Sequence, residues 1–297
     1  MTARIRTRSS RRALAVATLL LVLVPSVASV AGIAGAAVPP APVVPSPLVI
    51  GDTFTLDSAA LGEVRRVNVY APPGYAESPD QRLPVLYMPD GGLAEDFLHI
   101  AGLVEIGAIN GTMRPFLLVG IENTQRRRDL TGPTTDERDL AIAPKVGGSA
   151  AYRAFLRDEL MPRIDATYRT TGETAIVGES LADLFVVESC LLEPGLFDTC
   201  IAIDPSLWWN HASLVEGAEA RLRELPGLQG TLFLASSDEP EIAADTARLA
   251  GILATSAPAG LKWSYAPLPA ETHGTIYHPA ALRAFREVFA PAPAAGE

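Results

Sequence analysis

The segment 176–182 reads Ile176-Val177-Gly178-Glu179-Ser180-Leu181-Ala182, and it gives the clearest indication of the fold of this chain. It has the pattern of a short apolar strand that breaks into a tight turn with Ser180 at its apex, and an apolar helical pattern follows as far as Leu192. This is the layout of a nucleophile elbow, in which small residues such as Gly178 and Ala182 let the strand and the helix approach each other. The N-terminus of such a helix presents free backbone N–H groups to a forming oxyanion. Ser180 is therefore predicted to be a nucleophile, and the alternative is a serine that only caps the helix.

A serine hydroxyl needs a neighbouring base, and the base in turn needs an acid to orient it. His273 lies in a loop between the last predicted strand and the last predicted helix, and we expect it to be the base. The acid is expected within the segment 236–241, where Glu239 is preferred and Asp238 and Glu241 remain open. The order serine, acid, histidine is the order that α/β-hydrolases use.

The oxyanion hole requires two backbone N–H donors. Leu181, directly after the nucleophile, is expected to supply one of them, and Gly92 in the loop after the third predicted strand is expected to supply the other. A glycine at position 92 lets the backbone approach the reacting carbonyl. An ordinary turn is the alternative interpretation of Gly91 and Gly92.

Eight apolar or β-branched runs predict strands, and helical patterns alternate with most of them. From the third run onward the strands are continuously apolar, which is typical of a parallel sheet covered on both faces. We therefore predict an α/β-hydrolase fold with a mostly parallel eight-stranded sheet, helices on both faces and little or no lid. The predicted strands are 53–56, 64–70, 85–88, 116–121, 174–177, 200–203, 231–235 and 262–266. The predicted helices are 97–106, 150–168, 182–192, 243–255 and 280–289.

The two ends of the chain have a different character from this core. Five arginines precede an apolar run, and Ala34-Gly35-Ala36 resembles a cleavage site, so residues 1–36 are predicted to be an export signal of the Sec or twin-arginine type. An uncleaved signal anchor is the alternative. Residues 37–51 are rich in proline and predict an extended tether. The catalytic domain is predicted to span 52–290, and a disordered tail 291–297.

Charge and cysteine content restrict the possible partners. The whole chain carries a net charge of −10, and because five arginines and no acidic residue lie in the predicted signal, the remaining chain is more acidic still, at −15. This disfavours nucleic acid and anionic membrane as partners. The cysteine and histidine spacing does not suggest a metal site, and no cofactor is expected. Cys190 and Cys200 are expected either to form a disulfide, which export permits, or to be two buried thiols.

Several short sequence motifs along residues 52–290 resemble those of the putative-esterase family of α/β-hydrolases, which includes siderophore esterases, S-formylglutathione hydrolase and mycolyltransferases. The motifs follow one another in the same order as in the family. They are Val69–Tyr75 (VYAPPGY), Tyr87–Gly91 (YMPDG), Asn123–Thr131 (NTQRRRDLT), the segment from Phe155 to Thr170, and Asp204–Trp209 (DPSLWW).

The resemblance implies a serine esterase of the siderophore-esterase-like branch, with Ser180 and His273 as catalytic residues and Gly92 and Leu181 as oxyanion donors. It further implies that Arg128 binds the acyl or aryl group of the substrate and that Trp208 forms a wall of the pocket. An ion pair of Arg128 with Asp129 or Asp136, and core packing of the tryptophans, are the structural alternatives.

The chain departs from the family pattern at and near the elbow. The family has Gly-His-Ser-x-Gly-Gly, whereas this chain has Glu179, Ala182 and Asp183. Asp183 is expected to suit the helix dipole but to place negative charge near the oxyanion. Asp204 replaces a serine of the family, and could pair with an arginine near the site.

The expected function is that of a secreted serine hydrolase that cleaves small-molecule carboxylic esters through an acyl-enzyme, without a stable membrane anchor. Acyl transfer in the same site and non-catalytic ligand binding are the alternatives, and a peptidase is less favoured. The sequence alone specifies neither the natural ester nor the oligomeric state.

Overall fold

The structure is a computed structural model that describes residues 44–291. The predicted export signal at 1–36, the first part of the predicted tether and nearly all of the predicted tail lie outside the described residues. The remaining tether residues up to 51 precede the first strand without helix or strand structure. From Leu48 onward the described residues form one compact unit.

The central sheet has eight strands in the spatial order β1-β2-β4-β3-β5-β6-β7-β8. The β1–β2 and β2–β4 pairs are antiparallel, and every later pairing is parallel. The strands are β1 (Asp52–Ser58), β2 (Glu63–Tyr70), β3 (Leu83–Pro89), β4 (Leu117–Ile121), β5 (Thr170–Glu179), β6 (Thr199–Ile203), β7 (Gly230–Ser236) and β8 (Leu261–Pro267). The predicted mostly parallel eight-stranded sheet is confirmed.

Helices cover both faces of this sheet and bury two apolar clusters. The described helices are α1 (Phe97–Ile109), α2 (Arg126–Asp129), α3 (Glu137–Ile142), α4 (Ser149–Phe155), α5 (Met161–Thr167), α6 (Leu181–Leu192), α7 (Trp209–Glu224), α8 (Pro240–Ser256) and α9 (Tyr277–Val288). Apolar residues of α4 to α8 pack on one face of the sheet. Those of α1 and α9 pack on the other. Continuous burial of β3, β4 and β6 explains why these strands are apolar at every position.

The helices differ from the predicted pattern in three respects, the first being that the short helices α2 and α3 lie outside the predicted ranges. The single helix predicted over 150–168 consists of α4, a π-helical segment at Leu156–Leu160, and α5. Pro162 has no N–H for the bond to residue 158, which favours the wider turn here. The predicted helices do not include α7, which opens with left-handed backbone at Asn210, His211 and Ala212. This interruption separates the tryptophan pair from the helical spacing of Val215, Ala218 and Leu222.

Cys190 and Cys200 form a disulfide, with their Cα atoms 6.8 Å apart. The bond joins the end of α6 to the start of β6, so it fastens the helix that follows Ser180 to the neighbouring strand. Of the two alternatives that the sequence leaves open, the structure has the bridged one.

Candidate active site

Ser180 lies at the sharp turn between β5 and α6. Its backbone has φ 65° and ψ −120°, a conformation that a side-chain-bearing residue adopts only when the surroundings enforce it. A Cβ on Gly178 would lie 2.7 Å from that of Ala182, so the turn requires glycine at that position. The Ser180 side chain makes no capping bond to α6 and contacts a histidine instead. These features match a nucleophile elbow and disfavour the alternative of a capping serine.

His273 links this serine to a buried carboxylate. Its Nε2 lies 3.1 Å from Ser180 Oγ, and its Nδ1 lies 2.6 Å from Oδ2 of Asp204. The hydrogen bond to Asp204 is the largest influence on the His273 pKa, and it raises this pKa against the opposing effect of burial. The hydroxyl, the imidazole and the carboxylate form the continuous chain of hydrogen bonds that a serine nucleophile needs.

The carboxylate that contacts the imidazole is Asp204 and not Glu239. Asp204 follows β6, is fully buried, and accepts hydrogen bonds from the backbone N–H of Ser237 at 2.6 Å and from its hydroxyl at 2.8 Å. Because these donors require an acceptor, Asp204 is assigned as ionised and the Nδ1 of His273 as the proton donor. Glu239 stands at the start of α8 with its side chain exposed to solvent, and influences the imidazole only as a more distant charge. The preference for Glu239 is thus corrected by the geometry, and Asp238 and Glu241 are likewise exposed.

Strained backbone marks the carboxyl ends of three neighbouring strands. Asp90 after β3, Ser180 after β5 and Asp204 after β6 all have φ between 56° and 65°. Left-handed backbone costs energy in residues other than glycine, and it gathers at functional sites because the surrounding structure holds it there. The site therefore lies where an open parallel sheet is expected to carry one.

The two predicted oxyanion donors differ in their surroundings. Leu181 is the first residue of α6, so its N–H has no acceptor within the helix. The N–H of Gly92 donates to Oε2 of Glu95 at 2.7 Å, and the other carboxylate oxygen of Glu95 accepts from the Asn123 amide at 2.9 Å. The structure therefore has Gly92 in the expected loop, but with a carboxylate on the donor that an oxyanion would need.

The loop that carries Gly92 is fixed to the rest of the sheet. Asp90 receives two hydrogen bonds of 2.7 Å from the guanidinium of Arg126. A Cβ on Gly91 would lie 2.2 Å from Cα of Gly120 on β4, so only glycine fits there. These contacts hold the loop against the end of β4, beside Ser180.

Two acidic residues of the elbow region have raised pKa values for the same main reason. Burial raises the pKa of Glu179 to about 7, against the opposing charges of His273 and Arg126. Burial also raises the pKa of Asp183 well above its usual range, and the backbone N–H of Ile203 donates to its carboxyl group. Burial thus disfavours a negative charge on Asp183 near the oxyanion, contrary to the expectation from sequence.

The guanidinium of Arg128 is held by carboxylates. It donates to Glu63 at 2.7 Å and to Asp129 at 2.6 Å, and these bonds are the largest reason that the pKa of Arg128 is raised. The structure therefore favours the alternative of an ion pair with Asp129. Arg126, rather than Arg128, reaches the elbow, since it also approaches the carbonyl oxygen of Glu179 at 3.5 Å.

Trp208 lies partly exposed on the loop that follows Asp204. The guanidinium of Arg138 stands 4.9 Å above the centre of its ring. Trp209 is buried, and its indole N–H donates to the carbonyl of Gly132. Ser206, on the same loop, has its hydroxyl 3.4 Å from that of Ser180. Trp208 thus stays a candidate for the pocket wall, whereas Trp209 belongs to the core.

The described residues contain no side-chain group suited to a metal ion and no helix suited to a bilayer. Between 44 and 291, no group of three or more His, Cys, Asp or Glu side chains is placed to hold a metal ion. In the same range, every helix is too short or too polar to cross a bilayer.

The elbow, the histidine loop and the strand order together match the arrangement that serine hydrolases have on an α/β-hydrolase scaffold. The sequence model of the family described as Putative esterase matches residues 58–238, which is more than half of the chain. The chain therefore belongs to this family, as its motifs predict.

The curated relatives that the chain matches are named as esterases. The chain is 27% identical over 174 residues to the ferri-bacillibactin esterase BesA of Bacillus subtilis, covering 52% of this chain and 58% of that protein. It is 28% identical over 194 residues to the siderophore triacetylfusarinine C esterase of Aspergillus fumigatus, covering 59% and 62%. The matches thus span less than two thirds of the length of these relatives.

Solved structures share the fold. An IroE-like serine hydrolase from Shewanella oneidensis superposes with a TM-score of 0.73 at 29% identity, covering 80% of each chain. The BES protein from Bacillus cereus gives a TM-score of 0.72 at 21% identity, covering 85% of this chain and all of that one. The second likeness supports the fold alone.

Proposed function

We propose that this protein is a serine esterase whose catalytic residues are Ser180, His273 and Asp204. The observation that carries the proposal is the chain of hydrogen bonds from Ser180 Oγ through His273 to Asp204, at 3.1 Å and 2.6 Å. Such a chain is the arrangement that activates a hydroxyl for attack on a carbonyl carbon.

The reaction would proceed in two halves. Ser180 Oγ bonds to the ester carbon while its proton moves to Nε2 of His273, and the carbonyl oxygen becomes an oxyanion near the N–H of Leu181. The C–O bond to the alcohol then breaks as Nε2 returns the proton to the leaving oxygen. Water repeats these steps on the acyl-enzyme and releases the acid. Gly92 would supply the second oxyanion donor once Glu95 has moved away from its N–H.

The class of ester is proposed from the relatives. The two curated relatives are named as esterases of the siderophores bacillibactin and triacetylfusarinine C. We extend that class, siderophore esters, to this chain. A separate surface cavity of about 400 Å³, which none of the three catalytic side chains lines, has Arg127 and Lys145 on its wall, and these side chains would supply positive charge for an acidic acyl group.

The test is hydrolysis of p-nitrophenyl acetate and butyrate by the protein without residues 1–36, beside Ser180→Ala. We expect turnover that the variant abolishes, and a fluorophosphonate label that mass spectrometry locates on Ser180. Turnover that persists in Ser180→Ala would refute the proposed nucleophile. Parallel assays with ferri-bacillibactin and with an added alcohol or sugar acceptor would identify the ester class and separate hydrolysis from acyl transfer.

Export is a separate proposal, based only on the arginine-rich and apolar pattern of residues 1–36. Expression of the full chain followed by N-terminal sequencing of the secreted protein tests it. Replacement of Arg11 and Arg12 by lysine separates the two routes, because twin-arginine export depends on that pair.

A further inference from the structure

Glu179 stands beside the catalytic base on the side where the chemistry occurs. Its Oε1 lies 3.4 Å from Nε2 of His273, the same nitrogen that lies 3.1 Å from Ser180 Oγ. One imidazole nitrogen therefore faces two oxygen atoms, and one of them belongs to a carboxylate. The side chain of Glu179 is only 19% exposed, so water shields this pair weakly.

The opposite nitrogen is already committed. Nδ1 donates to Asp204, which is fully buried and holds two further donors from Ser237. A hydrogen bond between Nε2 and Glu179 therefore requires one more proton, either on the imidazole or on the carboxyl group. In the first arrangement His273 is an imidazolium and cannot accept the Ser180 proton. In the second it is neutral, but the one lone pair of Nε2 accepts from Glu179, so Nε2 is free for the Ser180 proton only after the shared proton has left.

The charged groups that shift the pKa of Glu179 come from four separate segments, and the carboxyl group of Asp183 on α6 lies near enough for Glu179 to raise the Asp183 pKa. His273 lies on the loop before α9, Arg126 on α2, Asp90 after β3, and Asp204 after β6. Arg126 commits its guanidinium to Asp90 through two hydrogen bonds and reaches only the main-chain carbonyl of Glu179. Within the described residues, Nε2 of His273 is therefore the one basic nitrogen within ion-pair distance of the Glu179 carboxylate.

We propose that Glu179 is a positioning residue that shares one proton with His273 and thereby sets the pH at which the base becomes free to accept the Ser180 proton. While Glu179 is ionised, it holds the proton on Nε2 and competes with Ser180 for that nitrogen. When Nε2 takes the Ser180 proton during attack, the same carboxylate faces the new positive charge and stabilises it. The raised pKa values of both groups agree with a shared proton near neutral pH.

This inference deepens the proposed esterase function and rests on it. The key variant is Glu179→Gln, which keeps the size of the side chain and removes its charge. The acid limb of the kcat/KM profile should move to lower pH by about one pH unit, since an opposite charge at this distance raises a pKa by about that much or more. At pH values well below both midpoints the variant should therefore retain about ten times more of its own plateau activity than wild type does.

A matched control is Glu241→Gln, which removes the same charge from a residue paired with Arg138 and exposed to solvent. Its acid limb should coincide with that of wild type. If the Glu179→Gln limb also coincides with wild type, the shared proton is refuted, even if the rate itself changes. Glu179→Asp should move the limb part of the way back, and thermal unfolding checks that each variant is folded.

A second readout does not depend on activity. The chain has four histidines, so the ring signal of His273 can be identified by NMR with a His273→Asn variant. Titration should show a lower His273 pKa in Glu179→Gln than in wild type. An unchanged His273 pKa would overturn this inference while leaving the esterase proposal intact. Loss of the Ser180 dependence of hydrolysis would instead overturn the esterase proposal.

Discussion

The substitution Asp204→Asn tests whether the acid that orients the imidazole is Asp204, as the structure has it, or Glu239, as the sequence pattern favours. Asparagine tolerates left-handed backbone better than most residues, so the φ of 56° at position 204 should be retained and the variant should fold. Its amide can still accept the backbone N–H of Ser237 with the oxygen. The amide nitrogen then faces Nδ1 of His273, where the wild-type chain has an acceptor.

The expected loss follows from this change of donor. An amide N–H pointing at Nδ1 favours the tautomer with its proton on Nε2, which cannot accept a proton from Ser180. The variant also loses the charge that stabilises the imidazolium. At the 2.6 Å separation of Nδ1 and Oδ2, that attraction amounts to about 6 kcal/mol with an effective dielectric constant of about 20. We therefore expect kcat to fall by about 10⁴-fold.

The assay is p-nitrophenyl butyrate hydrolysis at neutral pH, with Glu239→Gln as the matched control of equal charge change. Glu239 is exposed and does not contact the imidazole, so its variant should stay within about twofold of wild type, like most surface substitutions. A large loss in Glu239→Gln together with a small one in Asp204→Asn would refute the assignment. Circular dichroism of both variants shows whether a loss reflects misfolding.

Three further predictions concern other parts of the molecule. Glu95→Ala should raise kcat/KM about tenfold, because an oxyanion no longer has to displace a charged hydrogen bond from Gly92 N–H; a fall would show that Glu95 mainly shapes the loop. Asp183→Asn should have a larger free energy of urea unfolding than wild type at neutral pH, and this difference should shrink as the pH falls toward about 4. The raised pKa of folded Asp183 makes wild type lose stability as the pH rises above the unfolded value, and a difference independent of pH would contradict this. Replacing Cys190 and Cys200 together by alanine should lower the free energy of unfolding by about 3 kcal/mol, from the ten-residue separation that the bridge closes, and an unchanged urea midpoint would contradict it.

Local patterns explain why so much of the fold could be predicted. Each of the eight apolar runs became a strand because its residues are buried on both faces or alternate against one covered face. The elbow is also local, since Gly178, Ser180 and Ala182 follow one another within a single turn. Helix α7 was missed because its left-handed opening at 210–212 hides the later helical spacing, and backbone of that kind has no strong signature without glycine.

The sequence favours Glu239 over Asp204 because Glu239 lies in a cluster of carboxylates, whereas Asp204 stands alone. Glu239 and its neighbours follow β7 and mark the start of α8, where exposed acids suit the helix dipole. Asp204 also follows a strand, β6, directly beside the strand that carries Ser180. That adjacency was a usable signal, since an acid at the end of a neighbouring parallel strand lies at the same edge of the sheet as the nucleophile.

Contacts between segments that are distant in sequence account for the features that the sequence does not predict. The bonds from Arg128 to Glu63 join residues 65 positions apart, and no periodicity connects the two. The bond from Gly92 to Glu95 is short in sequence, but it depends on how the loop turns after Asp90, whose backbone is left-handed. Side-chain pairing of this kind depends on the assembled sheet, so the sequence leaves both the ion pair and the binding role open for Arg128.

Two of the departures from the family pattern, Glu179 and Asp204, have the His273 imidazole as a common neighbour. Relative to that pattern, a histidine is replaced by Glu179 and a serine by Asp204, and in the structure these two carboxylates face the two nitrogens of His273. One lies fully buried and fixes the tautomer, whereas the other is partly exposed and titrates near neutral pH. Asp183, another departure, is fully buried, and its raised pKa disfavours a negative charge beside this pair. Each of these two sequence differences suggests a damaged active site when it is considered alone. Together they place the His273 base between two acidic side chains.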